Sequence, residues 1–92
     1  MSDVYVVTLK WSYPYYEAVG AKQTDVALQA PTTPRLLLDE MIRRYPALGD
    51  MLEQNAEGEL TALVCTVKHV LAMHHQVNET CTLQVIPPLS GG

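Results

Sequence analysis

The stretch "PTTPRLLLDEMIRRYPALG", residues 31–49, decides how the rest of this chain is read. Thr33 offers a side-chain oxygen to cap free N–H groups, and Pro34 suits a first helical position, where a missing N–H costs nothing. Leu37, Leu38, Met41, Ile42 and Tyr45 then recur at helical spacing and predict one apolar stripe. Asp39 and Glu40 stand four residues before Arg43 and Arg44, the favourable order for pairs worth about 0.2–0.5 kcal/mol each. Pro46 marks the stop. A helix with one such stripe needs a surface to cover.

That surface is written on both sides of it. "DVYVVTLKW" (3–11) alternates, with Tyr5, Val7, Leu9 and Trp11 on one face. "TDVALQA" (24–30) alternates again, with Val26, Leu28 and Ala30 inward; "SYPYYEAVGAKQ" between them reads as a long turn with a helical kink, so the two strands form a hairpin. After the helix, "LGDMLEQNAEGE" (48–59) reads as turn and loop. "LTALVCTV" (60–67) is a third strand, "HVL" a short fourth, "AMHHQVNET" a loop, and "CTLQVI" (81–86) the last strand with Cys81, Leu83 and Val85 inward. One helix across a mixed sheet of about five strands is an α+β arrangement. A hairpin, a crossing helix and a late returning strand predict the β-grasp, or ubiquitin-like, fold.

Ninety-two residues with 48% hydrophobic and 17% charged content predict one folded domain rather than a disordered chain. Ten acidic against six basic residues, for a net charge of −4, argue against a nucleic-acid partner, which demands a basic stripe. "MSDVYVVTLK" lacks the basic n-region and long apolar run of a signal peptide, and no apolar stretch has the length of a membrane span. The expectation is a cytoplasmic protein with no membrane partner. Cys65 and Cys81 are too few for a disulfide framework and are expected as reduced thiols.

Little in the body invites chemistry. His74 and His75 are adjacent, without the spacing of a zinc site, so no metal is expected. Both cysteines fall in expected strands, where a thiol usually acts as a small hydrophobe. No nucleophile–base pair and no glycine-rich phosphate loop is recognisable. "YPYY" (13–16) reads as a stacking surface or as rings covering one end of the core. What remains is "IPPLSGG", residues 86–92.

"LLLDEMIRRYPAL" followed by "LQVIPPLSGG" resembles the MoaD/ThiS family, small ubiquitin-like sulfur carriers that include the small subunit of molybdopterin synthase. Counted back from Gly92, the family's spacing holds without a gap as far as Val64, with Val77 where the family has a buried leucine. Thr66-Val67, "TCTL" (80–83) and Tyr16 depart from the family pattern, and these positions touch loops and partner surfaces. The resemblance implies a β-grasp domain over 1–86 and an extended tail over 87–92. It implies that an E1-like enzyme adenylates the Gly92 carboxylate with ATP, and that sulfur then displaces AMP to leave a thiocarboxylate. The large synthase subunit takes that sulfur for the dithiolene of molybdopterin. It implies further that the chain itself binds no cofactor and supplies no catalytic side chain. Pro87, Pro88, Leu89, Ser90 and Gly91 would thread the partners' active sites, and Ile86 and Val70 would face the large subunit.

The physics of the tail agrees. Fixed φ at the two prolines keeps the base extended, while Gly91 and Gly92, lacking Cβ atoms, give a slim, adaptable tip. Three other roles share these features: a carrier for thiamine or thiolated nucleosides, a ubiquitin-like protein modifier, and a plain interaction module. The Pro-Pro pair favours the molybdopterin branch.

Overall fold

The computed structural model describes residues 3–88. The sheet has the order β2-β1-β5-β3-β4. β1 (Tyr5–Trp11) pairs antiparallel with β2 (Gln23–Leu28) and parallel with β5 (Cys81–Ile86). β5 pairs antiparallel with β3 (Leu63–Cys65), which pairs antiparallel with β4 (Val70–Leu71). The alternation read in the sequence is real: Val7, Leu9 and Trp11 face inward beside Val26, Leu83, Val85 and Val64, all buried. Ala30 does not join them. The second strand starts at Gln23 and ends at Leu28, so Ala30 lies beyond it and is exposed.

α1 (Tyr15–Val19) fills the hairpin connection, which is therefore a true short helix and not merely a kinked turn. It stops at Gly20, whose φ of +81° closes the helix and lets its N–H donate to the Tyr16 carbonyl at 2.8 Å. α2 (Pro34–Arg44) lies on the inner face with Pro34 in its first turn, and the Thr33 hydroxyl accepts the Leu36 N–H at 3.2 Å. Leu37, Leu38 and Met41 form the buried stripe, while Ile42 and Tyr45 are half-buried at its margin.

The expected ion pairs are rearranged. Glu40 takes both Arg43 and Arg44, and Asp39 turns back to Arg35 at 3.2 Å instead of reaching Arg43. The two guanidiniums hold the Glu40 carboxyl below its ordinary pKa, chiefly through hydrogen bonds from Arg43 and then Arg44. Whatever helix stability these pairs add is present above the ordinary carboxylate range and lost as pH falls through the lowered value.

Two expectations downstream of α2 need correction. The segment read as turn and loop begins with a second helix, α3 (Pro46–Met51). Pro46 disfavours helical geometry at Tyr45, which sits at φ −129° and ψ 83°, and then starts a new helix as its first residue. Leu48 and Leu52, four residues apart, carry that helix into the core. The third strand is also shorter than its pattern. Leu60, Ala62 and Val64 keep the inward alternation, but the Thr61 N–H donates to the Glu53 carbonyl at 3.0 Å rather than to β5. At the other end, the Thr66 hydroxyl accepts the Lys68 and His69 N–H groups and turns the chain into β4.

The loop before β5 is tied to the start of α2. Thr32 and Val77 exchange both backbone hydrogen bonds at 2.8 Å, and the Arg35 N–H reaches the Met73 carbonyl at 3.0 Å. Val77 is buried by this seam.

Leu38, 1% exposed, and Leu36, 56% exposed, lie on opposite sides of α2. Leu38→Ala is expected to cost about 2–5 kcal/mol and to lower Tm by about 10 °C or more, whereas Leu36→Ala stays within about 0.5 kcal/mol. Thermal melts of the two variants check the helix-on-sheet packing, and equal losses would refute it.

Candidate functional site

The root of the tail is built by three separate segments. Parallel pairing sets Val85 beside Trp11, and the Ser12 N–H then donates to the Val85 carbonyl at 3.1 Å, fixing the strand end against the start of the α1 connection. β5 ends at Ile86; Pro87 is half-buried and Pro88 exposed. Beside them lies a cleft lined by Pro14, Tyr15, Met51, Glu53, Pro87 and Pro88. Burial, and then the nearby Glu53 charge, raise the Tyr15 phenol above its ordinary pKa. Leu89, Ser90, Gly91 and Gly92, the four remaining tail positions expected to act, lie outside the described residues.

Met51 and Glu53 are not among the residues expected from sequence, because residues 48–59 read there as turn and loop. Pro46 followed by Leu48 and Leu52 was the available signal, a helix start with apolar residues one turn apart.

The outer face of the sheet is divided. Leu63 lies opposite Ile86, and Cys65 lies opposite both Gln84 and Val70. Cross-strand partners share a face, so Val70, Cys65, Leu63 and Ile86 make an apolar end over β4, β3 and β5. Val70 is 61% exposed, and the other three are half-buried. Towards β1 and β2 the face becomes polar, with Gln84 opposite Lys10 and the Thr8 hydroxyl donating to the Asp25 carboxylate at 2.7 Å. Ile86 thus joins the tail root to the apolar end.

The reactive-looking side chains are scattered. His69, His74 and His75 are exposed, and among the described residues no group of three or more His, Cys, Asp or Glu could hold a metal ion. Cys65 faces outward and Cys81 inward; both are half-buried free thiols. Burial, then the Glu79 charge, push the Cys81 thiol above its ordinary pKa. "YPYY" divides between its two readings. Tyr15 is core, whereas exposed Tyr13 packs at a tilt against Tyr16, 5.9 Å between ring centres, with the Lys22 ammonium 5.9 Å over the Tyr16 ring.

No family model matches the chain, and no curated protein does. Solved structures do. A crystal structure of Haloferax volcanii small archaeal modifier protein 1 matches with a TM-score of 0.77 and 21% identity, over 92% of this chain and 99% of the other. A second crystal structure, of SAMP1 from the same organism, gives a TM-score of 0.76 at 24% identity over 95% and 99%. A Pyrococcus furiosus protein provisionally assigned as molybdopterin converting factor, subunit 1, gives 0.74 at 13% identity over 92% and 99%. The fold is the ubiquitin-like β-grasp. It is the fold the family resemblance implied, across nearly the whole chain. No helix among the described residues is long and apolar enough to cross a membrane.

A thiol with a raised pKa holds less thiolate at neutral pH, and the thiolate is the nucleophile. In a Cys65→Ser variant, the alkylation rate of Cys81 is therefore expected to rise with pH along a curve displaced above that of a free thiol. A curve at or below the free-thiol position would contradict the inward placement of Cys81.

Proposed function

We propose that this protein is a sulfur carrier for molybdopterin synthesis, the small subunit of a two-protein synthase. The observation that carries the reading is the junction at Ile86. A central strand with Leu83 and Val85 fully buried runs directly into Pro-Pro, two further residues and Gly-Gly. Such a body serves as an anchor, and the chemistry belongs to the Gly92 carboxylate. An E1-like enzyme would join that carboxylate to AMP, releasing pyrophosphate from ATP. Hydrosulfide sulfur would then attack the acyl carbon, expelling AMP and a proton to leave a thiocarboxylate. The large subunit would take this sulfur for the dithiolene. On this reading the chain holds no cofactor and supplies no catalytic side chain.

Gly91 and Gly92 suit a narrow channel because neither carries a Cβ, while Pro87 and Pro88 limit the ordering entropy of insertion. Pro87, Pro88, Leu89, Ser90 and Gly91 would be the residues that thread it. The apolar end of the outer face, with Val70 and Ile86, would meet the large subunit, since a partner drawn along the tail lands beside Ile86. Likeness to small archaeal modifier protein 1 favours a second reading, in which the same activated Gly92 forms an isopeptide bond to a lysine.

Intact-mass analysis after incubation with the cognate E1-like enzyme, ATP and a sulfide donor separates these. The carrier reading expects one oxygen replaced by sulfur at the C-terminal peptide. Deleting Gly92 or changing Gly91→Val should abolish the change without lowering Tm, because the last ladder ends at Ile86. Cys65→Ser and Cys81→Ser variants that fold should still convert. An unchanged wild-type mass would sink the reading, and lysine-linked conjugates in place of the thiocarboxylate would select the modifier.

Ile86→Asp and Val70→Asp are expected to weaken binding to the large subunit, measured calorimetrically, while the monomer keeps its circular dichroism spectrum. Undiminished binding by both variants would remove the partner surface.

A further inference from the structure

The cleft at the tail root has a composition that the tail chemistry does not use. Its volume is about 360 Å³, and it is open to solvent, so it covers one side of an occupant rather than enclosing a free small molecule. It is lined by Pro14, Tyr15, Met51, Pro87 and Pro88, and its single charged residue is Glu53. Flexible Met and flat proline rings accept an aliphatic stem, and one carboxylate at the margin calls for a cation at the end of that stem.

The chain does not supply that cation among its described residues. Arg35 is bound to Asp39 and to the Gly58 carbonyl, and Arg43 and Arg44 are both bound to Glu40. The Lys22 ammonium sits over Tyr16, Lys10 stands opposite Gln84 on the outer sheet face, and Lys68 belongs to the turn before β4. Glu53 makes no ion pair among the described residues. Among the described residues its hydrogen bonds are those of its backbone carbonyl, which accepts the Thr61 N–H at 3.0 Å and the Thr61 hydroxyl at 3.1 Å. Its carboxylate is left available beside the one segment a tail-accepting protein must pass.

We propose that the cleft formed by Pro14, Met51, Glu53, Pro87 and Pro88 receives an arginine side chain of the activating enzyme as that enzyme takes the tail. The inference rests on the carrier reading, since it assumes that Gly92 is adenylated by a partner. Arginine fits better than lysine because its planar fork can meet both carboxylate oxygens and its weakly hydrated face can lie on the prolines. Glu53 is then a positioning and specificity residue. It docks the root of the tail and touches no reacting atom.

The test is steady-state conversion to the thiocarboxylate with purified E1-like enzyme, ATP and a sulfide donor, varying the carrier concentration. Glu53→Gln should raise KM about tenfold with kcat unchanged, as loss of one charge-assisted docking contact does. Glu53→Asp should keep most of the wild-type KM. Glu79→Gln, the same charge change at the opposite end of β5, should behave as wild type. Added salt should raise the wild-type KM more than that of Glu53→Gln. Unchanged Tm for Glu53→Gln is expected, because the side chain makes no hydrogen bond or ion pair among the described residues. A wild-type KM for Glu53→Gln, or an equal rise for Glu79→Gln, overturns the cleft while leaving the carrier reading intact. A wild-type chain that is never converted overturns both.

Discussion

The parallel ladder between β1 and β5 is the constraint on which the molecule depends. It matches Val7 with Cys81, Leu9 with Leu83 and Trp11 with Val85, so the inward residues of the first and last strands lie side by side. A slip of one residue would turn Leu83 and Val85 outward and bring Thr82 and Gln84 into the core. Neighbouring parallel strands cannot be joined by a tight turn, so everything between β1 and β5, β2 included, forms the connection between them. α2 closes the inner face, α3 covers one end, and the short β3–β4 pair extends the far edge. The Thr32–Val77 exchange then ties the returning chain to the start of α2.

The same ladder fixes the working geometry. β5 is flanked by β1 along Cys81–Val85 and by β3 along Gln84–Ile86, so the end of the strand is paired on both sides at Gln84 and Val85 and by β3 at Ile86. The Ser12–Val85 bond adds a last fastening on the β1 side. Outside the sheet, register alone places Val70, Cys65, Leu63 and Ile86 together. On the proposed reading, the Pro-Pro pair, the apolar end of the sheet and the cleft holding Glu53 would give a partner three features to read at one place. Val70, Glu53 and Pro88 among them are exposed, so these positions can change without refolding the domain.

Charge is distributed with the same economy. α2 concentrates all three arginines, and all three are satisfied by Asp39 and Glu40 on the helix itself. Exposed pairs of this kind add little to stability. Their consequence is to leave the rest of an acidic surface without internal arginine partners, Glu53 included.

Local chemistry made much of this legible from the chain. Thr33-Pro34 and the 37-38-41 spacing specify α2, alternation specifies β1 and β5, and both signals act within a few residues of one another. The glycine pair after two prolines pointed to the tail for the same reason: backbone freedom is a property of the residue itself. Other features required the assembled fold. β3 stops short of its alternating pattern because Glu53, distant in ladder terms, takes the Thr61 N–H. α3 was hidden because Pro46 both ends one helix and begins the next, and only burial of Leu48 and Leu52 chooses the second role. Asp39 prefers Arg35 over Arg43, a choice between two equally spaced neighbours that sequence spacing leaves open. The cleft joining Pro14, Met51, Glu53 and Pro88 exists only because the sheet brings three remote segments together, and no short-range pattern encodes a meeting of that kind.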